Sequence, residues 1–180
     1  MQSQEITLSK LSLIIGNIRT PDSQINNDVI SESLKKDLDK TTFDISNKTY
    51  DISLTYHGQH SWILDLIRQQ VSVYQKLNIV NNKVWANIES FNEISVMRNN
   101  VNIKDIQNQP THTLIYILKA GENSGELILT YKKPDQKTYV DTCHVQQGNF
   151  YLFDSNIDYY FSKNLDSIDR EYLTWTCVKQ

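Results

Sequence analysis

The sequence predicts a mainly β protein (α+β) of the jelly-roll class, a double-stranded β-helix with one or two flanking helices. Short runs rich in aromatic and β-branched residues fill its second half, and turn signals such as Gly121–Gly125 and Pro134-Asp135 separate them. No helical period intervenes between these runs, which disfavours a parallel sheet built from βαβ units. The stretch from Gly148 to Trp175 contains three such runs joined by short polar turns. We therefore expect this stretch to close the β-core as a meander.

Length and composition favour a single domain. The chain has 180 residues, a net charge of −3 and 39% hydrophobic residues, which suits one sizeable core rather than two. We divide it into an N-terminal part, residues 1–49, and a core, residues 50–178. Lysine and arginine are scattered rather than clustered, so we expect no nucleic-acid partner. No signal-peptide pattern and no membrane-spanning run are present in the sequence, so we expect no membrane partner either.

The two cysteines, Cys143 and Cys177, fall in different predicted strands and do not form a CxxC pair. In a sequence without a secretion signal, this spacing favours two buried free thiols over a disulfide.

Three elements are predicted in the N-terminal part. Alternating apolar residues predict one strand within Ile6–Ile18, with a break in its phase near Lys10. A four-residue apolar spacing predicts a short amphipathic helix over Asp28–Leu38. Two alternating segments flank residues 46–49, which predicts a β-hairpin around that turn.

The strongest helical pattern lies at Ser61–Leu77, where apolar residues gather on one side. We expect this helix to pack on the outside of the β-core. The eight strands predicted after it are Val84–Ile88, Ile94–Met97, His112–Leu118, Glu126–Tyr131, Tyr139–Val145, Phe150–Phe153, Ile157–Phe161 and Tyr172–Val178.

A spaced motif in the closing stretch carries a family resemblance. Its members are Gly148, Phe153, Ser155, Asn164 and Arg170. It resembles the closing pattern of the viral and bacterial branch of the iron(II)/2-oxoglutarate oxygenase superfamily. In that branch a turn ending in Pro-Ser is followed by a metal-binding His, an Asn, and an Arg that binds the 2-oxoglutarate carboxylate. The resemblance implies the same scaffold here. It also implies altered chemistry, because Asp154 replaces the Pro and Tyr159 stands at the His position.

The resemblance places two further metal ligands in an early strand. Counting forward from Trp85-Ala86-Asn87, which matches a Trp-x-Asn strand of the branch, puts these ligands at Arg98 and Asn100. Counting back from Thr113–Leu118, which matches a later strand, puts them near Asp105 and Gln107. Neither register contains the His-x-Asp that a facial iron site needs. The degenerate metal positions are therefore Arg98, Asn100, Asp105 and Tyr159.

Arg170 keeps the position of the arginine that binds the cosubstrate carboxylate. One reading makes it a residual carboxylate-binding residue, because arginine suits bidentate contact with a carboxylate. We favour the other reading, an exposed arginine that pairs with Asp166 or Asp169 in its own turn.

We expect two residues to fill the vacated metal site. Tyr159 would point into the mouth of the jelly roll, and Arg98 would pair with Asp105 or Asp154. We therefore expect no cofactor, no tight binding of iron or 2-oxoglutarate, and no oxygenase activity. The histidines lack ligand partners at the usual spacing and are expected at the surface or in hydrogen bonds. They are His57, His60, His112 and His144.

The favoured function is that of a non-catalytic structural or interaction protein. Relatives of the resembled branch are frequent in tailed-phage genomes, so we expect a virion component of the neck, tail or capsid surface. Its partners would be other virion or assembly proteins or a second copy of the chain, in the virion or in the host cytoplasm during assembly. Tyr160, Trp175 or the Asn99–Pro110 loop would lie at the interface. The alternatives are an oxygenase with displaced ligands and a small-anion binding module anchored by Arg170.

Overall fold

The computed structural model describes residues 2–8, 11–18, 27–32, 35, 42–44, 49–51, 61–71, 77–98 and 110–179. Side chains are described for residues 13–18, 27–32, 35, 63, 65–70, 84–98 and 110–178. The prediction of a mainly β fold is confirmed. The described part contains helical residues 27–32 (α1), a helix at Ser61–Val71 (α2) and eleven strands. The strands are β1 Gln2–Leu8, β2 Leu11–Asn17, β3 Thr42–Asp44, β4 Thr49–Asp51, β5 Leu77–Glu89, β6 His112–Lys119, β7 Glu126–Lys132, β8 Thr138–His144, β9 Asn149–Asp154, β10 Asp158–Phe161 and β11 Arg170–Lys179.

Two antiparallel sheets make up the jelly roll. The large sheet has the order β1-β2-β9-β6-β11-β5-β4-β3, and the small sheet has the order β10-β7-β8. Strands distant in sequence lie side by side, since β11 pairs with both β5 and β6 at the centre of the large sheet. This crossing of the chain between sheets is typical of a jelly roll.

The large sheet is covered on both faces. Its inner face packs on the small sheet through a cluster that includes Ile115, Ile117, Phe153 and Tyr172. Its outer face packs on Ile63 and Ile67 of α2. The expectation that this helix lies outside the β-core is therefore met. Alternation along each strand sends successive side chains to opposite faces, so Arg170, Tyr172, Thr174 and Thr176 of β11 share the inner face.

Several predicted boundaries were wrong. The predicted N-terminal strand is a hairpin, in which β1 and β2 pair from Gln2 with Asn17 to Leu8 with Leu11. The helix predicted to reach Leu77 ends its described part at Val71, and Leu77 begins β5 instead. That residue pairs with Lys179 of β11, so sheet pairing overrides the apolar helical spacing there. Of the predicted helix at Asp28–Leu38, the structure describes residues 27–32 and 35 as helical.

The segment predicted as strand Ile94–Met97 is not a strand. A single bridge joins its end to β10, between Arg98 and Tyr159. The pairing is irregular because the amide of Phe161 donates to the side-chain Oγ of Ser95 rather than to a backbone carbonyl. The other seven predicted strands are present with shifted ends.

Both cysteines are buried free thiols, as predicted. Cys177 lies on the outer face and Cys143 in the cluster between the sheets. Burial raises the pKa of Cys143 to about 11 and that of Cys177 to about 12. No described helix has the length and apolar character needed to cross a membrane.

Candidate functional site

The structure brings Arg98 and Tyr159 together. The resemblance places one metal ligand at each of these two positions. The amide of Arg98 donates to the carbonyl of Tyr159 at 2.8 Å, and the amide of Tyr159 donates back at 2.9 Å. Tyr159 is 1% exposed and lies between the sheets, where its ring meets Phe153 edge-on at 5.4 Å. The phenol therefore occupies the interior rather than the outer face.

The guanidinium of Arg98 reaches across to the large sheet. Its Nη1 donates to Oδ1 of Asn87 at 2.5 Å and to the hydroxyl of Tyr172 at 3.2 Å. Burial by itself lowers the pKa of Arg98, but Tyr172, Tyr159 and Glu89 outweigh burial and leave that pKa raised. Arg98 is thus a permanent cation inside the fold.

Next to it lies a buried ion pair between neighbouring strands. Glu89 ends β5, and Arg170 begins β11 directly opposite. Oε2 of Glu89 accepts from Nε of Arg170 at 2.8 Å and also from its Nη2. Oε1 of Glu89 accepts from the hydroxyl of Tyr172 at 2.8 Å. Tyr172 therefore links the two arginines, since it donates to Glu89 and accepts from Arg98.

The favoured expectation for Arg170 was wrong. Arg170 is 0% exposed and its partner is Glu89 rather than Asp166 or Asp169. Register explains the error, because β11 begins at Arg170 and turns its side chain inward over the ring of Phe161 at 4.7 Å. Asp169 instead lies 3.6 Å from the ammonium of Lys35.

The closing turn holds this pair in place. Asn164, another residue of the resembled motif, is fully buried, and its Nδ2 donates to the carbonyls of Glu89 at 3.1 Å and Ile168 at 3.0 Å. Nη1 of Arg170 donates to the carbonyl of Ser124. Gly125 follows at φ 82°, where a Cβ would approach the carbonyl of Lys163 to 2.7 Å. Glycine suits that position because it tolerates positive φ and leaves room for the loop.

Several predicted residues lie away from this site. Nε2 of His112 is 3.7 Å from Asp154, and both residues lie on the outer face of the large sheet. The predicted pairing of Arg98 with Asp154 is therefore wrong. Arg98 contacts Asn87 and Tyr172 instead. Trp175 is fully buried on the outer face, which corrects its predicted place at an interface. The predicted positions outside the described residues are Asn100, Asp105, His57, His60 and most of the Asn99–Pro110 loop.

The described residues do not fit an iron site. Arg98 has no lone pair to donate and would repel a cation. Tyr159 offers a phenol where the resembled branch has an imidazole, the ligand that suits iron. Nowhere in the described ranges do three His, Cys, Asp or Glu residues gather as a metal-binding group. Arg170, which matches the cosubstrate-binding arginine of the resembled branch, does not fit an added carboxylate either, because Glu89 already binds it.

Sequence reasoning missed Glu89 and Tyr172. The signal for Glu89 was a period-two polar pattern, since Asn87 and Glu89 alternate with apolar residues along β5. Such a pattern normally marks a solvent-facing side, but in a jelly roll this side faces the second sheet.

Comparison with solved structures supports the fold. The chain resembles a prolyl-4-hydroxylase from Pseudomonas putida with a TM-score of 0.61 and 11% identity, over 93% of this chain and 92% of that one. It resembles a viral collagen prolyl hydroxylase from Paramecium bursaria Chlorella virus-1 with a TM-score of 0.60 and 15% identity, over 91% and 94%. The 2-oxoglutarate-dependent carbocyclase SnoK of nogalamycin biosynthesis gives a TM-score of 0.66 at 8% identity, over 93% and 79%.

No protein-family model matches the sequence, and no curated protein sequence matches it. The fold is that of the iron(II)/2-oxoglutarate oxygenases. At these identities the comparison establishes the scaffold alone.

Proposed function

We propose that this chain is a non-catalytic protein with an oxygenase fold, acting through contacts with other molecules rather than through iron and 2-oxoglutarate. The observation that carries the proposal is the buried contact between Glu89 and Arg170. The carboxylate of Glu89 binds the guanidinium of Arg170, which by the resemblance would bind the cosubstrate. A free dicarboxylate would compete with a group held in place at high effective concentration.

The adjoining positions support the same proposal. By the resemblance, Arg98 puts a positive charge at the position of a metal ligand. Tyr172 closes the space between Arg98 and Glu89 with hydrogen bonds to both. Glu89, Arg170 and Tyr172 thus satisfy one another without a ligand.

Removal of the internal carboxylate tests this assignment. In the Glu89→Ala variant, acetate or 2-oxoglutarate should raise the melting temperature, because Arg170 regains a carboxylate partner. Either compound should raise the melting temperature of wild type by less, because Glu89 already binds Arg170 there. The exposed Glu122→Ala variant is the matched control and should respond like wild type. Equal stabilisation of wild type and Glu89→Ala would contradict the proposal that Glu89 keeps other carboxylates from Arg170.

A surface near the site suits a partner protein. We define the apolar edge patch as Phe91, Ile94, Val96, Met97, Leu165 and Ile168, all exposed. Backbone hydrogen bonds of Asn164 with Asn92 and Glu93 bring its two segments together. Grouped exposed apolar side chains mark contact surfaces more often than scattered ones do. We propose other virion or assembly proteins, or a second copy of the chain, as partners, in the virion or in the host cytoplasm during assembly.

Paired substitutions test the patch. Phe91 and Met97 are 58% and 55% exposed, and Phe91→Ser with Met97→Ser should weaken association in light-scattering chromatography and co-purification with particles. Val140, 60% exposed on β8, supplies the control Val140→Ser, which should leave association unchanged. A chain that stays monomeric and never accompanies particles from its native source would refute the partner proposal.

An oxygenase with displaced ligands is the second candidate function. The similar solved structures favour it, because those compared above are named as hydroxylases or as a 2-oxoglutarate-dependent carbocyclase. Its ligands could come from Asp105, His57 or His60, which lie outside the described ranges. The described candidates are His112 and His144. Iron content and succinate production separate this candidate from the first.

A further inference from the structure

On the inner face of the large sheet, three buried polar atoms have no hydrogen-bond partner among the residues that the structure describes. They are Nδ2 of Asn87, Oγ1 of Thr174 and Oγ1 of Thr176. Their residues are 1%, 2% and 0% exposed. Buried polar side chains in proteins are nearly always hydrogen-bonded, to protein or to something that the protein binds. Three such groups on one face therefore point to a ligand between the sheets.

Sheet register places these atoms together. Asn87 lies opposite Tyr172, and Thr174 is the next inward-facing residue along β11. Such diagonal neighbours are about 7 Å apart at the backbone, and their side chains converge further. The guanidinium of Arg98 already touches Asn87. Thr176 extends the same row by one inward-facing position.

Charge and chemistry select the kind of ligand. An amide nitrogen, two hydroxyls and a guanidinium all donate hydrogen bonds. Within the described interior, Arg98 and Arg170 are cations and Glu89 is the opposing anion, which leaves one positive charge. Glu89 is already engaged by Arg170 and Tyr172, while Asp154 lies on the other face beside His112.

We propose that Arg98, Asn87 and Thr174 bind a small oxyanion inside the jelly roll, with Thr176 at the inner end of the site. The ligand would be phosphate, sulfate or the carboxylate of a small molecule. Arg98 retains partial exposure and so provides the way in. This site uses Arg98 rather than Arg170. It goes beyond the proposed function, because it requires a bound anion, whereas the Glu89–Arg170 pair needs no ligand.

Anion titration of the full chain tests the site. Phosphate, sulfate and acetate are compared by calorimetry and thermal unfolding at constant ionic strength. Wild type should show saturable binding of at least one anion, and the preferred anion distinguishes a phosphate-like ligand from a carboxylate. Thr174→Val should weaken that binding roughly tenfold or more, the effect of one lost hydrogen bond to a charged group. Thr142→Val, an exposed threonine on β8, is the matched control and should leave it unchanged.

Folding of the variant does not confound the result. Valine keeps the shape of threonine and removes an unsatisfied hydroxyl, so Thr174→Val without anion should be at least as stable as wild type. Arg98→Met gives a second variant, which should abolish binding. The proposal is overturned if wild type binds no anion, if Thr174→Val binds as tightly as wild type, or if a crystal structure grown with phosphate shows only water at these atoms.

Discussion

The carboxylate of Glu89 and the guanidinium of Arg170 face each other across paired strands, and both residues are buried, with Oε2 to Nε at 2.8 Å. Eighty-one residues separate the two in sequence. Their contact closes the end of the interior where β5 and β11 meet, and Tyr172 extends it to Arg98.

Breaking this ion pair should destabilise the protein severely. Glu89→Gln leaves the charge of Arg170 buried without a counter-charge, which typically costs about 3–5 kcal/mol of unfolding free energy. Urea denaturation monitored by circular dichroism measures the change. Glu122→Gln, at an exposed turn position, should stay within about 0.5 kcal/mol of wild type. Similar stabilities for the two variants would mean that the pair contributes no net stability.

The hydroxyl of Tyr172 should matter more than an exposed tyrosine hydroxyl. Tyr172→Phe removes the donor to Glu89 and the acceptor from Arg98, leaving buried charged groups short of partners, at a cost of about 1–3 kcal/mol. Tyr139→Phe is the control, since its hydroxyl contacts Asp135 at the surface. The same denaturation experiment compares them, and an equal loss in both would argue against a special role for the buried network.

Much of the scaffold was predictable, because the strands that the local sequence pattern predicts are the ones that pair in the sheets. Strands β6 to β11 carry the alternation and turn glycines that their positions require, and seven of the eight predicted strands are present. Tyr159 and Arg98 were placed by counting along the resembled motif, and the structure sets them opposite each other. The partner of Arg170 was not predictable, because no local pattern states that Glu89 would lie across from it. Trp175 was misplaced for a similar reason, since no local pattern shows that α2 covers the outer face of β11.

Stability should fall at alkaline pH. Burial, followed by the charge of Glu89, raises the pKa of Tyr172 well above its usual value, and burial raises the pKa of Cys177 to about 12. Both groups stay protonated in the folded state at a pH where the unfolded chain already ionises. Their contribution is therefore complete below about pH 9, the ordinary range of these groups, and is lost as pH rises toward the folded-state values.

Unfolding free energies between pH 7 and pH 11 measure this loss. Tyr172→Phe removes one titrating group, so its stability should decline less steeply above about pH 10 than that of wild type. Parallel curves for the two proteins would contradict the raised pKa of Tyr172.

Metal binding and cosubstrate turnover show directly whether this chain is an oxygenase. The purified chain is titrated anaerobically with Fe(II) and 2-oxoglutarate, its iron content is measured after desalting, and oxygen is then admitted while succinate is quantified. With Arg98 and Tyr159 at ligand positions and Glu89 on Arg170, we predict no retained stoichiometric iron and no succinate above a protein-free control. Stoichiometric iron together with succinate release would contradict the non-catalytic account and establish an oxygenase with displaced ligands.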